Sequence, residues 1–216
     1  MKEYWKMINY DKIPSSLEFN DSLLSFIRAE SCILDLGCGN GELCKKLSEK
    51  GFNVHGIDCS NKAIENAKKK DFKSHYNVMD ASELCFESEY FDFTIIKAVF
   101  TVVPDAFVRK KIMEEVYRVT KQGGLIYIAD FAQTWWNKIY YKRYIDNFPI
   151  TGEYGTFKAT NEKGEFEYMA KHFSPKEIVD LYSFVNVDVI FFDTTKVRTR
   201  SGNIIDGYNI LLRKTI

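Results

Sequence analysis

Three glycines at alternate positions, Gly37, Gly39 and Gly41, directly follow the apolar run Ile33-Leu34-Asp35-Leu36. Residues of these types in this order make a buried strand that runs into a turn. The glycines permit positive φ angles and let a ligand reach the main chain with no Cβ in the way. A helix follows at once, with Leu43 and Leu47 four apart on one face and Gly51 as its stop. Together these form the first half of a nucleotide-binding βαβ unit. Charge narrows the ligand further. The dinucleotide fingerprint GxGxxG requires glycine at position 42, where this chain has Glu42, with Gly41 one place early. A diphosphate at this helix start would meet two acids, Glu42 and Asp35, whereas a phosphate-free cofactor carrying positive charge is favoured by them, directly or through water.

The run Asp35-Leu36-Gly37-Cys38-Gly39-Asn40-Gly41 resembles motif I, DxGxGxG, of the class I S-adenosylmethionine-dependent methyltransferases. S-adenosylmethionine has no phosphate and carries an ammonium and a sulfonium, in keeping with the flanking acids. The resemblance implies this cofactor, with S-adenosylhomocysteine as its product and no metal. It places Asp35, Gly37, Cys38, Gly39 and Gly41 at the cofactor. Asn53 to Asp58 alternates like a strand and ends in an acid about 20 residues past the loop, where a ribose diol lies in such units. Asp58 is read as the acceptor of both ribose hydroxyls, with Cys59 beside it, although a plain helix-start role is the structural alternative. Ser60 caps the next helix, whose stripe is Ala63, Ile64 and Ala67. Tyr76 to Ala81 is a short strand ending in an acid; by resemblance Asp80 accepts from the adenine amino group and the Ala81 main chain lies close. Phe91 to Val99 resembles the family's fourth strand, whose end faces the methyl group, so Lys97 is a candidate at the pocket mouth. The Pro-Pro-aromatic and Pro-Cys patterns of nucleobase methyltransferases are replaced here by Lys97-Ala98-Val99-Phe100.

Substrate choice is expected in residues 131–173, which are dense in aromatics. Such rings bury large areas, and Tyr and Trp keep a polar handle for a ligand. Trp135, Tyr140 and Tyr168 are candidates there, with Tyr4, Trp5 and Tyr10 as the opposite wall of a lid. Trp136, Tyr140 and Tyr144 fall at i, i+4 and i+8, which also reads as the core face of a helix. If the acceptor must lose a proton, His172 is the candidate base, because an ordinary histidine exchanges protons near neutral pH. A surface or packing role is the alternative.

The elements that position these residues read as five βα units over about 100 residues. Helix Asp105 to Val119 leads to Gly123-Gly124 and a fifth strand, Leu125 to Phe131. A helix starting at Ser174-Pro175-Lys176-Glu177 runs to about Phe184. Two strands, 187–192 and 208–212, are joined through Ser201-Gly202-Asn203 as a hairpin. The fold class is α/β: a Rossmann-like doubly wound sheet of seven strands, order 3-2-1-4-5-7-6 by resemblance, strand 7 antiparallel, with an aromatic-rich helical lid after strand 5. One domain fills 1–216: an N-terminal helical cap segment (1–30), a cofactor-binding core (31–130), the lid (131–173), and a helix with the terminal hairpin (174–216).

With 30 basic and 30 acidic side chains the formal net charge is zero, which gives no general pull toward nucleic acid or anionic lipid. The five cysteines form no CxxC pair, which argues against a disulfide framework or zinc site. No apolar run approaches the roughly 18 residues of a membrane span, and the start lacks a signal-peptide pattern. A cytoplasmic protein is expected, monomeric or homodimeric. The leading function is methyl transfer to an O or N atom of a small-molecule acceptor. A non-catalytic cofactor-binding partner subunit or sensor, and a tRNA or protein methyltransferase, are the alternatives.

Overall fold

A computed structural model describes residues 17–161, 163–199 and 202–216. Tyr4, Trp5 and Tyr10 therefore lie outside the described residues, as does Ser201. The described part of the N-terminal segment holds one 3-10 turn, Asp21–Phe26, capped by the Asn20 side chain.

The main sheet has seven strands in the order β3-β2-β1-β4-β5-β9-β8. They are β1 (Cys32–Leu36), β2 (Asn53–Asp58), β3 (His75–Val78), β4 (Phe91–Lys97), β5 (Thr120–Phe131), β8 (Val187–Arg198) and β9 (Ile204–Lys214). The pairs from β3 to β5 are parallel, and β9 runs antiparallel to both its neighbours. Counting β8 and β9 as the sixth and seventh strands of this sheet gives the expected 3-2-1-4-5-7-6. Strand alternation explains the two-sided core. Ile33 and Asp35, Phe93 and Ile95, and Leu125 and Tyr127 face one side, packing with Leu43 and Leu47 of helix α1 (Glu42–Glu49) and Ile64 and Ala67 of α2 (Asn61–Lys70). Leu34, Leu36, Ile96, Ile126 and Ile128 face the other, against Ile112, Met113 and Val116 of α3 (Ala106–Val119) and Ile178 of α5 (Pro175–Asp180). A parallel sheet buried on both faces needs this continuous apolar character.

The caps at Ser60 and Ser174 form as the sequence suggests, and Asp105 supplies a third. Ser60 accepts from Ala63 N at 3.2 Å. Asp105 accepts from Phe107 and Val108. Ser174 and Glu177 complete a capping box. That last helix stops at Asp180 instead of running to Phe184, because Tyr182 N turns back to Val179 O and Val185 N to Tyr182 O, i→i−3 bonds that tighten the chain. Gly123-Gly124 does not precede β5 but lies inside it. The register against β4 slips between Phe91 and Phe93, and Gly123 takes φ 73° in the resulting bulge. The terminal strands extend well past 187–192 and 208–212, which shortens their connection to residues 199–203.

The insertion after β5 is only half helical. Its first half is α4 (Lys138–Thr151), capped by Asn137; its second half is a separate antiparallel hairpin, β6 (Thr156–Thr160) with β7 (Phe166–Lys171). Alternation at Phe157 and Ala159, both turned to the core, and a left-handed Gly164 beyond the β6 end select strand over helix. The aromatic stripe also divides. Tyr140 and Tyr144 are buried, while Trp136 precedes the helix and is exposed, with Lys196 over its ring.

Candidate functional site

The glycine loop, Asp58 and Asp80 meet at the carboxyl ends of β1, β2 and β3, the edge where open α/β sheets take ligands. The loop is tied down by its own backbone. Gly37 N and Cys38 N both donate to Ile57 O, at 2.8 and 2.9 Å, so the chain crosses the end of β2. Gly37 and Gly41 both take φ 76°. A Cβ at Gly37 would stand 2.5 Å from Val99 Cγ2, and one at Gly41 would stand 2.6 Å from the Tyr76 hydroxyl. Glycine at these two positions lets the loop lie against the segment after β4 and lets α1 start directly over Tyr76.

Asp58 joins the two halves of this site. Its Oδ2 accepts from Gly39 N at 3.1 Å and its Oδ1 from Ser60 N at 2.8 Å. An ionised carboxylate offers about four lone-pair positions, so it can serve more than one donor at a time. Cys59, half-buried, follows it. Asp80 is held by Ser82, whose N and Oγ donate to its Oδ1 at 3.0 and 2.8 Å. Ala81 stands half-buried beside it. Asp35 is buried beneath the loop and accepts the Cys44 thiol at 3.2 Å. Burial pushes its carboxyl up to about 6, against the opposing pull of Lys97. Cys38 lies over the same spot, its own thiol raised. Glu42 plays a smaller part than its position suggests, because its exposed carboxylate pairs with Lys70 at 2.6 Å. The local negative character therefore rests on Asp35, Asp58 and Asp80. This acceptor-rich donor set, with a loop free of side chains at its glycines, fits a phosphate-free cationic cofactor bearing a diol. Among the described residues no group of three or more His, Cys, Asp or Glu is placed to hold a metal ion.

Lys97 ends β4 and donates to Leu17 O at 3.3 Å, which ties the N-terminal segment to the site. Next to it Ala98 takes φ 55°, a left-handed conformation that a non-glycine residue adopts at a cost. The chain turns sharply there into Phe100–Val102, beside the glycine loop.

The insertion brings Trp135, Tyr140 and His172 together, and Tyr168 on β7, half-buried, packs against the same cluster as Tyr140. Trp135 is partly exposed and meets Tyr144 edge-on at 5.0 Å. His172 is buried in an aromatic cage. Tyr140 and Phe131 stack on it at 5.1 and 5.4 Å, and Phe157 approaches edge-on at 5.0 Å. Its Nδ1 lies 2.8 Å from the Tyr144 hydroxyl. Burial first, then the positive charges of Arg143 and Lys171, carry this imidazole down to about 3. It is neutral at physiological pH but a weak base, far from the value that suits proton abstraction.

Two features escape sequence reading. Asp130, next to last in β5, is fully buried and accepts from Phe131 N at 2.8 Å and Thr101 N at 3.1 Å; burial pushes it up to about 7. Its only signal is an acid at a strand end. Beneath the hairpin, Lys171 has no exposed surface and reaches Glu177 at 2.6 Å, Glu153 at 3.2 Å and Tyr154 O at 2.9 Å. Arg109 joins Glu153 at 3.7 Å. These residues come from four separate segments, so no local pattern reveals them.

Comparison with known proteins adds the following. A family model described as a methyltransferase domain matches residues 34–128. A solved SAM-dependent methyltransferase from Methanosarcina mazei is 36% identical, covers 93% of this chain and 100% of its own, and superposes with a TM-score of 0.89. Among curated proteins, the arsenite methyltransferase of Mus musculus is 37% identical over 122 residues, 48% of this chain and 31% of that protein. A ubiquinone biosynthesis O-methyltransferase of Bartonella tribocorum is 30% identical over 124 residues, 55% of this chain and 49% of its own. The chain thus spans less than half the length of these two curated relatives.

Proposed function

The chain belongs to the S-adenosylmethionine-dependent methyltransferases, and from that premise we propose that it methylates an oxygen or nitrogen atom of a small-molecule acceptor held under residues 131–173. The observation that carries this reading is the meeting of the glycine loop with Asp58 through Gly39 N, which builds one cofactor cradle from two strand ends. The relatives support a small-molecule acceptor, since one is by name an arsenite methyltransferase and the other an O-methyltransferase of ubiquinone biosynthesis, and the second also supports an oxygen acceptor. The bound cofactor supplies an activated methyl carbon on a sulfonium. Asp58 holds the ribose hydroxyls, and Asp80 with the Ala81 main chain holds the adenine. Gly37, Cys38, Gly39 and Gly41 cover the remainder from the backbone side, and Asp35 adds negative potential beneath them. Lys97, Trp135 and Tyr140 border the acceptor. Their task is alignment of a lone pair with the methyl–sulfur bond and exclusion of water, which accounts for a large share of such rate enhancements.

Calorimetric titration with S-adenosylhomocysteine tests the cradle. The wild type binds, and Asp58→Ala, which deletes two acceptors of backbone N–H groups together with the diol contacts, loses at least roughly 100-fold in affinity, two charge-assisted hydrogen bonds being worth about 3 kcal/mol. A wild type that does not bind refutes the reading. A tritiated-methyl screen across phenols, carboxylates and amines then fixes the acceptor class; transfer to bulk tRNA in preference to all of these refutes the small-molecule assignment.

A further inference from the structure

His172 presents a second, unused nitrogen, and the hydrogen bonds around it decide what that nitrogen can do. The Tyr144 hydroxyl is fully buried and touches two polar atoms, Thr134 N at 3.2 Å and His172 Nδ1 at 2.8 Å. Thr134 N is a donor, so the phenolic hydrogen has one available acceptor, Nδ1. With the opposite arrangement, Nδ1–H donating to the phenol, the buried hydroxyl hydrogen would have no acceptor, which is the costlier of the two. Nδ1 is therefore unprotonated, and the neutral ring carries its proton on Nε2. The tautomer is anchored outward as well. Thr134 Oγ1 donates to Ala132 O and accepts from Asp206 N of β9, so the residue that orients Tyr144 is fixed to the main sheet.

Nε2–H has no hydrogen-bond partner among the described residues, on a ring that keeps 4% exposure. Its faces are closed by Phe131 and Tyr140, which leaves only the ring edge for a polar contact. Phe131 ends β5, two strands from β1, a lateral distance of roughly 10 Å on strand spacing. The glycine loop and His172 thus stand on the same edge of the sheet, on either side of the chain that leaves β4. Arg143, whose guanidinium lies 5.0 Å over Tyr140 and 5.5 Å from Phe157, makes the surrounding potential positive.

We propose that His172 is a hydrogen-bond donor, through Nε2–H, to a negatively polarised oxygen of the methyl acceptor, and that Tyr144 is the positioning residue that holds it in this tautomer. The acceptor then carries a phenol, carboxylate or enolisable carbonyl next to the methylated atom, and His172 removes no proton from it. This rests on the methyltransferase reading for the identity of the ligand, but the tautomer is measurable without turnover.

The test is ring-¹⁵N spectroscopy of the histidine-labelled full chain with S-adenosylhomocysteine, from pH 6 to 8. Its three histidines are assigned by single substitution. His172 shows the Nε2–H form and does not titrate, and Tyr144→Phe turns that single form into a mixture, which a merely structural tyrosine would not do. With phenol or benzoate added, the His172 Hε2 signal moves and those of His55 and His75 do not. Benzoate dissociation constants rise at least tenfold in His172→Leu and stay within threefold in His172→Gln, whose amide N–H replaces Nε2–H. A proton on Nδ1, titration of His172 inside this range, or an unmoved Hε2 signal with both probes overturns the proposal. Failure of S-adenosylhomocysteine to bind, read by calorimetry on the same sample, overturns instead the reading beneath it.

Discussion

Lys171→Met removes the cation at the centre of the buried cluster beneath the β6–β7 hairpin. The lysine has no side-chain exposure, whereas Glu177 and Glu153 keep 31% and 36%. Deleting one partner of a fully buried ion pair costs about 3–5 kcal/mol, because the other charge is left behind. Here water can partly solvate the two carboxylates, which places the loss near the lower end, about 3 kcal/mol. Tyr154 O also loses its donor, and the amine nitrogen is replaced by an apolar end that fills similar volume. For a chain of this size each kcal/mol moves the melting temperature by roughly 2–4 °C, so a fall on the order of 10 °C is expected. The double variant Lys171→Met with Glu177→Gln should recover part of that loss, since it no longer strands a carboxylate at 2.6 Å; a cycle with both singles by urea unfolding isolates the coupling. Glu177 has a second duty, accepting from Ser174 N at 2.7 Å in the capping box, so its single variant also loses stability. A Lys171→Met protein melting within about 1 °C of the wild type, or a double variant no better than the sum of the singles, would refute this account.

Asp130 predicts a pH dependence of opposite sign to that of most acids. Its folded carboxyl is raised to about 7 while the unfolded value is ordinary, so the native state holds the extra proton and stability falls as pH rises from near 4 through 7. Asp130→Asn should flatten that slope in urea midpoints taken at pH 5 and 8, and an unchanged slope would contradict the assignment. Gly41→Ala meets Tyr76 and Ala67 at 2.6 and 2.8 Å and a left-handed backbone as well, so it should cost at least about 2 kcal/mol and weaken S-adenosylhomocysteine binding; wild-type values in both assays would disprove the tight seating of α1.

Much of the stretch from β1 to β3 is legible locally. An apolar run, alternate glycines and an acid at the next strand end each occupy a few consecutive residues, and the fold keeps those neighbours together. Residues 131–177 resist for the opposite reason. Lys171, Glu153, Arg109 and Glu177 belong to β7, a loop, α3 and α5, and only tertiary packing unites them. Residues 156–171 share the aromatic density of the helix before them, so composition masked a change of period from 3.6 to 2. Within β5, Gly123-Gly124 carries the same signal as a turn between elements, and only the register slip against β4 identifies it as a bulge. Glu42 illustrates a subtler gap. Its sign and position were readable, but its pairing with Lys70 from α2 was not.

The bond from Gly39 N to Asp58 Oδ2 also bears on the timing of entropy loss. A glycine-rich segment left to itself samples many backbone states, and fixing each residue takes roughly 1–2 kcal/mol. In this protein the loop bonds to Ile57 O and to that carboxylate within the chain itself, so part of the ordering cost is offset by contacts the chain supplies. Every such bond is one the ligand need not make, so less of its affinity goes to organising the loop that receives it.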